Sequence, residues 1–283
     1  MILRIKHTTR FFYSHPVTDS HSELRLMPVS DERQNRLEYR LQISPSARVF
    51  QFDSPSGAIQ NFNLREPHEE LRITAESRVD SLLSNPFEGL NMEVDDWNYY
   101  RSGEARAAAP DYLTETRLVP HEPAVTELAE DAMRWDGKSV GCFLLALNKL
   151  LFNLIKYDKD ATTVHTTLAE ILEERRGVCQ DFAHLMLAVC RSQGIPARYV
   201  SGYLLSLPGD GTMHADQAMH AWVECLFPDG LWRGFDPTNN LMANHHYVKV
   251  HVGRDYQDVA PTRGIYRGNG DEKMLVAVKV TAE

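Results

Sequence analysis

The stretch GVCQDFAHLMLAVCRSQG, residues 177–194, decides how this chain is read. Phe182, Leu185, Met186, Val189 and Cys190 recur at i, i+3, i+4, i+7 and i+8, which predicts an amphipathic helix with one buried stripe. Gly194 followed by Ile195-Pro196 stops it. Cys179 lies three residues before Phe182, so it falls on the same inward face but in the first turn. There the unpaired backbone N–H groups and the positive end of the helix dipole favour an anion, and the thiolate is the nucleophilic form of a cysteine. The same N–H groups are placed to hold the oxyanion that forms when sulfur attacks a carbonyl. One local feature therefore serves two steps of acyl transfer.

Such a nucleophile needs a base, and the base needs an orienting group. Residues 198–207 (RYVSGYLLSL) read as a strand, followed by a Gly/Asp-rich loop. Residues 218–227 (AMHAWVECLF) and 231–236 (LWRGFD), separated by Pro228-Asp229-Gly230, read as a hairpin. Alternation puts His220 on one face with Trp222 and Glu224. In the simplest register, positions summing to about 456 face each other, which pairs His220 with Asp236. Asp236 would then fix the imidazole tautomer while the other ring nitrogen faces Cys179, the logic of a nucleophile–base–orienter triad. Each residue also has an ordinary reading: Cys179 as a small buried apolar group, His220 as a satisfied core histidine, Asp236 as a turn former before Pro237. Their joint spacing favours the chemical reading. Cys142, Cys190 and Cys225 sit in apolar surroundings and read as core filler.

Upstream of this region the pattern is helical. Val125, Leu128, Ala129 and Met133 share a face; Ser139 caps a second helix carrying Val140, Phe143, Leu144, Leu147, Leu150, Leu151 and Leu154; Thr167 with Glu170 forms a capping-box pattern for a third. The first hundred residues read instead as strands. Leu37, Tyr39, Leu41 and Ile43 alternate with polar residues, as do Leu71, Ile73 and Ala75, and Pro, Ser and Gly clusters separate the runs. The expected class is α+β: an antiparallel β-sandwich-like domain over residues 1–100, then a core of helices on an antiparallel sheet over 101–283, with a linker near 85–120.

The chain has 283 residues, 43% of them hydrophobic and 24% charged, which suits two globular domains and excludes a disordered or fibrous chain. A net charge of −9 argues against nucleic-acid partners. Four cysteines are too few for a disulfide scaffold. The N-terminus lacks a signal-peptide-length apolar run, and residues 142–155 are too short and too polar to span a bilayer, so the expected setting is cytoplasmic with no membrane partner. Zinc is the rival chemistry, given twelve histidines that include His214, His220, His245 and His246. No tight Cys/His spacing supports it, and Cys179 and Cys190 would stand roughly 16 Å apart along a helix, so neither metal nor cofactor is expected.

Three runs together strongly resemble bacterial transglutaminase-like proteins, a group commonly assigned as cysteine proteases: residues 177–184 (GVCQDFAH), 219–224 (MHAWVE) and 235–239 (FDPTN). The N-terminal text resembles the β-rich domain that precedes the family's core, in HTTRFFYS (7–14), HSELRLMP (21–28) and residues 53–61, although DSPSGAIQN there is longer and more polar than the family's aromatic-glycine version. The resemblance implies a papain-like core with Cys179 as nucleophile, His220 as base then acid and Asp236 as orienter. It also implies a thioester intermediate, resolved by water or by an amine. The expected partner is a peptide or protein substrate, or an amine acyl acceptor; a non-catalytic binding protein retaining the fold is the remaining alternative. Tyr157 reads either as an oxyanion helper or as a packing residue.

Overall fold

The computed structural model describes residues 1–90, 95–164, 166–205 and 218–283. The N-terminal strands are β1 (Ile2–Leu24), β2 (Gln34–Ser44), β3 (Val49–Ser54), β4 (Gly57–Leu64) and β5 (His68–Ser81). They form one curled antiparallel sheet in the order β2-β5-β1-β4-β3. The curl comes from β1, which pairs with β5 over its first half and with β4 over its second, with breaks in register between. Phe11, Tyr13, Leu24, Phe62, Leu71 and Ile73 fill the inside of the curl, giving the sandwich-like core that alternation predicts. Leu37 departs from the pattern. A β-bulge between Arg36 and Glu38 turns it outward, and it is 40% exposed.

The expected linker is not featureless. It carries α1 (Trp97–Arg101), α2 (Glu104–Ala108) and a 3-10 turn at Pro110–Leu113. Trp97, Tyr100 and Ala105 join the main core, so burial of a few aromatic and small residues orders a segment whose composition reads as loop. Next come α3 (Ala124–Asp136), α4 (Val140–Leu154), the two-residue β6 (Lys156–Tyr157), α5 (Leu168–Glu174), β7 (Arg176–Gly177) and α6 (Cys179–Ser192). The predicted caps are present: Ser139 Oγ accepts from Cys142 N–H at 3.1 Å, and Thr167 and Glu170 exchange the bonds of a capping box.

The helix α6 was expected to bury one stripe, yet all residues from Gln180 to Cys190 are buried. Helices α3, α4 and α5 pack on one side of it, with β8 (Ala197–Leu204) and β9 (His220–Leu226) on the other. Residue 178 at its N-cap is valine, which forgoes about 1 kcal/mol of side-chain capping. Five fully buried residues, Phe182, Leu185, Met186, Leu187 and Val189, each contribute roughly 1.5–3 kcal/mol, so packing rather than capping holds Cys179 at the helix start.

The core sheet is completed by β10 (Trp232–Asp236), β11 (Leu241–Met242) and β12 (Tyr247–Gly253), in the order β11-β10-β9-β8-β12. The last elements are α7 (Tyr256–Val259), β13 (Thr262–Arg267) and β14 (Glu272–Ala282). Both strands pair with β1, so residues 262–282 belong to the N-terminal sheet rather than to the core expected over 101–283. Strand partners are chosen by long-range pairing, which no local pattern encodes. The end of the predicted strand at residues 206–207 and the loop after it lie outside the described residues.

Charged side chains tie the two sheets together. Glu224 is buried and takes Arg198 at 2.6 Å and Lys249 at 2.8 Å, while Lys249 also reaches Asp31 at 2.9 Å. Burial alone would raise the Glu224 carboxyl, but the two cations hold it down at about 2. Glu224→Ala would leave the buried Lys249 and the partly buried Arg198 without their shared anion and is expected to cost about 3–5 kcal/mol in urea unfolding. A loss below about 1 kcal/mol would show that water replaces the carboxylate there.

Candidate active site

A cavity of about 310 Å³ lies where the start of α6 and the head of β9 meet the N-terminal sheet, and Cys179 and His220 both line it. A larger depression of about 690 Å³ on the N-terminal sheet, among Arg4, Glu38 and Arg78, contains neither residue. Several of its charges are already paired, as in Lys6–Glu76 and Arg78–Glu283, and it holds none of the three expected site residues, so the smaller cavity is the candidate site.

Cys179 is the first residue of α6 and is half-buried. The backbone before it is held by Asp181, whose Oδ2 accepts Val178 N–H at 2.7 Å and Thr162 Oγ1–H at 2.6 Å. Gly177 makes that approach possible, because a Cβ there would lie 2.7 Å from Asp181 Oδ2. Burial raises the Asp181 carboxyl, against the lowering effect of these two donors. The N–H groups of Cys179 and Gln180 belong to the first turn and have no carbonyl within the helix to donate to.

His220 opens β9 and is 4% exposed. Its Nε2–H donates to Asp236 Oδ2 at 2.7 Å, which leaves Nδ1 as the nitrogen available to the Cys179 side chain on the same cavity wall. Burial pulls the imidazole down. The charge and hydrogen bond of Asp236, with those of Cys179, outweigh it and carry His220 up to about 10. The ring is therefore an imidazolium at neutral pH.

Asp236 is fully buried and receives more than the histidine. Tyr247 Oη–H and Asn239 Nδ2–H donate to Oδ2 at 2.8 and 2.7 Å, and the backbone N–H groups of Thr238 and Asn239 donate to Oδ1 at 2.9 and 3.3 Å. Burial pushes this carboxyl up, but His220 and these donors hold it below the usual range. The sequence reading did not single out Tyr247 or Asn239 for any role. Asn239 carries a local signal, an acceptor three residues before it in a turn, whereas Tyr247 comes from β12, with β8 and β9 between it and β10.

The hairpin register corrects the expected pairing. Trp232 faces Leu226 and Phe235 faces Val223, so facing positions sum to 458 rather than 456. Asp236 thus sits diagonal to His220 instead of opposite it. A shift of two residues preserves the face, where a shift of one would have sent the carboxylate to the other side. Trp222, between them on that face, needs Gly202: a Cβ there would lie 2.5 Å from its ring. The indole in turn packs edge-on against Tyr247, with ring centroids 5.3 Å apart.

The remaining candidates take other places. His184 is buried and held down near 3, chiefly by burial; its Nε2 accepts Tyr256 N–H at 3.2 Å, which fixes α7 beside the cavity. Tyr157 pairs with Gly177 through the short β6–β7 bridge and is not among the described residues lining the cavity. Cys142, Cys190 and Cys225 are buried, the last two with sulfurs 3.8 Å apart. Among the described residues no cluster of three or more His, Cys, Asp or Glu side chains is arranged to hold a metal; His214 lies outside them. No described helix is long and apolar enough to cross a membrane.

Comparison with known proteins identifies the family. Residues 126–237, which contain Cys179, His220 and Asp236, match the model of the Transglutaminase-like superfamily, and residues 3–80 match that of the Bacterial transglutaminase-like N-terminal region. An uncharacterized protein of Mycobacterium leprae is 35% identical over 99% of this chain and 98% of its own length. A Protein-glutamine gamma-glutamyltransferase of Pseudomonas aeruginosa is 38% identical over 71 residues, which is 24% of this chain and 11% of that protein. A crystal structure described as "a Putative Cysteine Protease from Cytophaga hutchinsonii" covers 100% of this chain and 92% of that one at a TM-score of 0.72 and 23% identity, which shows the shared fold. The chain belongs to the transglutaminase-like superfamily, with the bacterial N-terminal region ahead of a papain-like core.

Proposed function

We propose that this protein is a thiol-dependent acyl-transfer enzyme in which Cys179 is the nucleophile, His220 the general acid and base, and Asp236 the group that orients and charges the imidazole. The supporting observation is the arrangement itself: sulfur and imidazole at the wall of one cavity, with the Asp236 carboxylate hydrogen-bonded behind the imidazole. The thiolate adds to the carbonyl carbon of an amide, and the displaced electron pair moves onto oxygen, where the first-turn N–H groups of α6 hold it. The imidazolium gives its proton to the departing nitrogen as the C–N bond breaks, leaving a thioester on Cys179. Water, giving its proton to the now neutral imidazole, adds to the thioester; the C–S bond breaks, the acid leaves, and the thiolate–imidazolium pair is restored.

The net reaction is hydrolysis of a peptide or isopeptide-type amide. In this reading water is the second acceptor. Transamidation is the second reading, favoured by the Pseudomonas aeruginosa relative named as a glutamyltransferase. Mass spectrometry of a peptide library treated with wild type and with Cys179→Ala, with and without a primary amine, separates the two. Cleavage by wild type alone supports hydrolysis, and amine adducts would replace it with transamidation. A library left unchanged by wild type would overturn the peptide-amide reading.

A further inference from the structure

The cavity beside Cys179 has walls of two origins. One is the core: the start of α6, the head of β9, and Tyr199 and Tyr256. The other is the N-terminal sheet, which contributes His7 and Thr9 from β1 and Met274 and Val276 from β14. This second wall exists only because β14 returns to pair with β1, setting Val276 opposite Thr9 and Met274 opposite Phe11.

The polar atoms on that wall are already engaged. His7 is buried; its Nδ1 meets Tyr203 Oη at 3.1 Å and its Nε2 meets Thr9 Oγ1 at 3.0 Å. Burial holds its imidazole down at about 4, so it is neutral at physiological pH. Met219, Met274 and Val276 present thioether and methyl surface, and methionine adapts to irregular apolar shapes. Among the described lining residues there is no Asp, Glu, Lys or Arg. The charges beside the cavity are those of His220 and of Asp236 behind it, which the reaction itself uses. At about 310 Å³ the space is at the small end of ligand pockets, which run from about 300 to 1,000 Å³, and suits one or two side chains rather than a large cofactor.

We propose that this cavity is the subsite for an uncharged, apolar side chain of the acyl donor, carried on the reacting residue or its neighbour, and that Met274 and Val276 of the N-terminal sheet set that preference. The proposal rests on Cys179 being the nucleophile. An apolar side chain entering here removes its own surface and that of Met219, Met274 and Val276 from water. A carboxylate or ammonium set against the wall formed by the N-terminal sheet would lose its hydration and meet no oppositely charged side chain among its described residues. The N-terminal region is then part of the substrate site rather than an appendage to it.

The test uses peptidyl chloromethyl ketones in which either of the two residues nearest the electrophile is Leu, Glu or Lys. Alkylation of Cys179 is followed by mass spectrometry, and each rate is divided by the same protein's rate with iodoacetamide. Wild type is expected to react at least about tenfold faster with the leucine probes than with either charged set. Met274 is 54% exposed on β14, which pairs only with β1 among the described strands, so its replacement leaves the core packing intact. Met274→Lys should raise the glutamate-to-leucine rate ratio about tenfold, and Met274→Glu should do the same for the lysine-to-leucine ratio. Equal rates for all wild-type probes, or ratios unmoved by both variants while iodoacetamide still labels Cys179, would overturn the subsite and leave the nucleophile standing. Absence of iodoacetamide labelling at Cys179 would overturn both.

Discussion

Cys179→Ala is expected to lose turnover by about 10⁵–10⁶-fold while remaining folded. The variant removes the sulfur that would form the proposed thioester, but leaves the first-turn N–H groups and the described cavity walls in place. A small residual rate over water is the expected signature of that remainder. Folding should change little, because the side chain is half-buried at a helix start whose position is set by Phe182 and its neighbours. Cys179→Ser sharpens the point. It conserves size and polarity yet supplies an alcohol, which this imidazolium cannot activate because its proton is already in place. Both variants should therefore fail against the peptides that wild type cleaves, with urea midpoints close to wild type. Retention of more than about 1% of turnover by Cys179→Ala would remove the residue from the chemistry and revive the reading of a binding protein that keeps the fold.

Asp236→Asn is expected to be nearly as severe, at about 10⁴-fold in kcat/KM, the scale seen when the acid of a related triad becomes an amide. The neutral amide cannot sustain the imidazolium, and its NH₂ would face Tyr247, Asn239 and His220 donors that now point at an oxygen. The pH dependence carries the mechanism. In wild type, burial alone would depress His220, and the Asp236 anion is the first of the groups that reverse it to about 10. The imidazolium should thus persist through the neutral range, with the alkaline limb of activity near pH 10. In Asp236→Asn that limb should fall by about 1–3 pH units. Stability follows the same sign. A histidine whose folded value is raised stabilises fully below its unfolded value near 6.5 and loses that contribution as pH climbs through about 10. Asp236, held low, adds stability that disappears as pH falls below the ordinary carboxylate range. Urea unfolding of wild type and Asp236→Asn between pH 6 and 10 should show their difference shrinking as pH rises. A constant difference would mean that the pair is not charged in the folded protein.

Much of the site was legible because its parts announce themselves locally. Cys179 at a helix start, His220 in an apolar strand and Asp236 after a Pro-Asp-Gly turn are each set by periodicity or turn chemistry within a dozen residues. Even the error in hairpin register was harmless, because the side-chain period of two keeps Asp236 on the histidine's face after a slip of two. Helix caps at Ser139 and Thr167 were readable for the same reason. Tyr247 was not, because it reaches Asp236 across two intervening strands. Nor was the exposure of Leu37, which depends on a bulge against β5.

By itself the sequence determined the kinds of element, the helix that presents Cys179, and the order of sulfur, imidazole and carboxylate along the chain. These follow from periods of 3.6 and 2 and from residues that start or stop elements, all of which act over a few neighbours. The tertiary structure decided which strands meet. It carried residues 262–282 back to β1, buried α6 on every side, tied Glu224 to Lys249 and Asp31, and built the cavity from two sheets. Those outcomes depend on burial and pairing between residues as far apart as Thr9 and Val276, and hydrogen-bonding edges and apolar faces choose such partners only once the chain is compact.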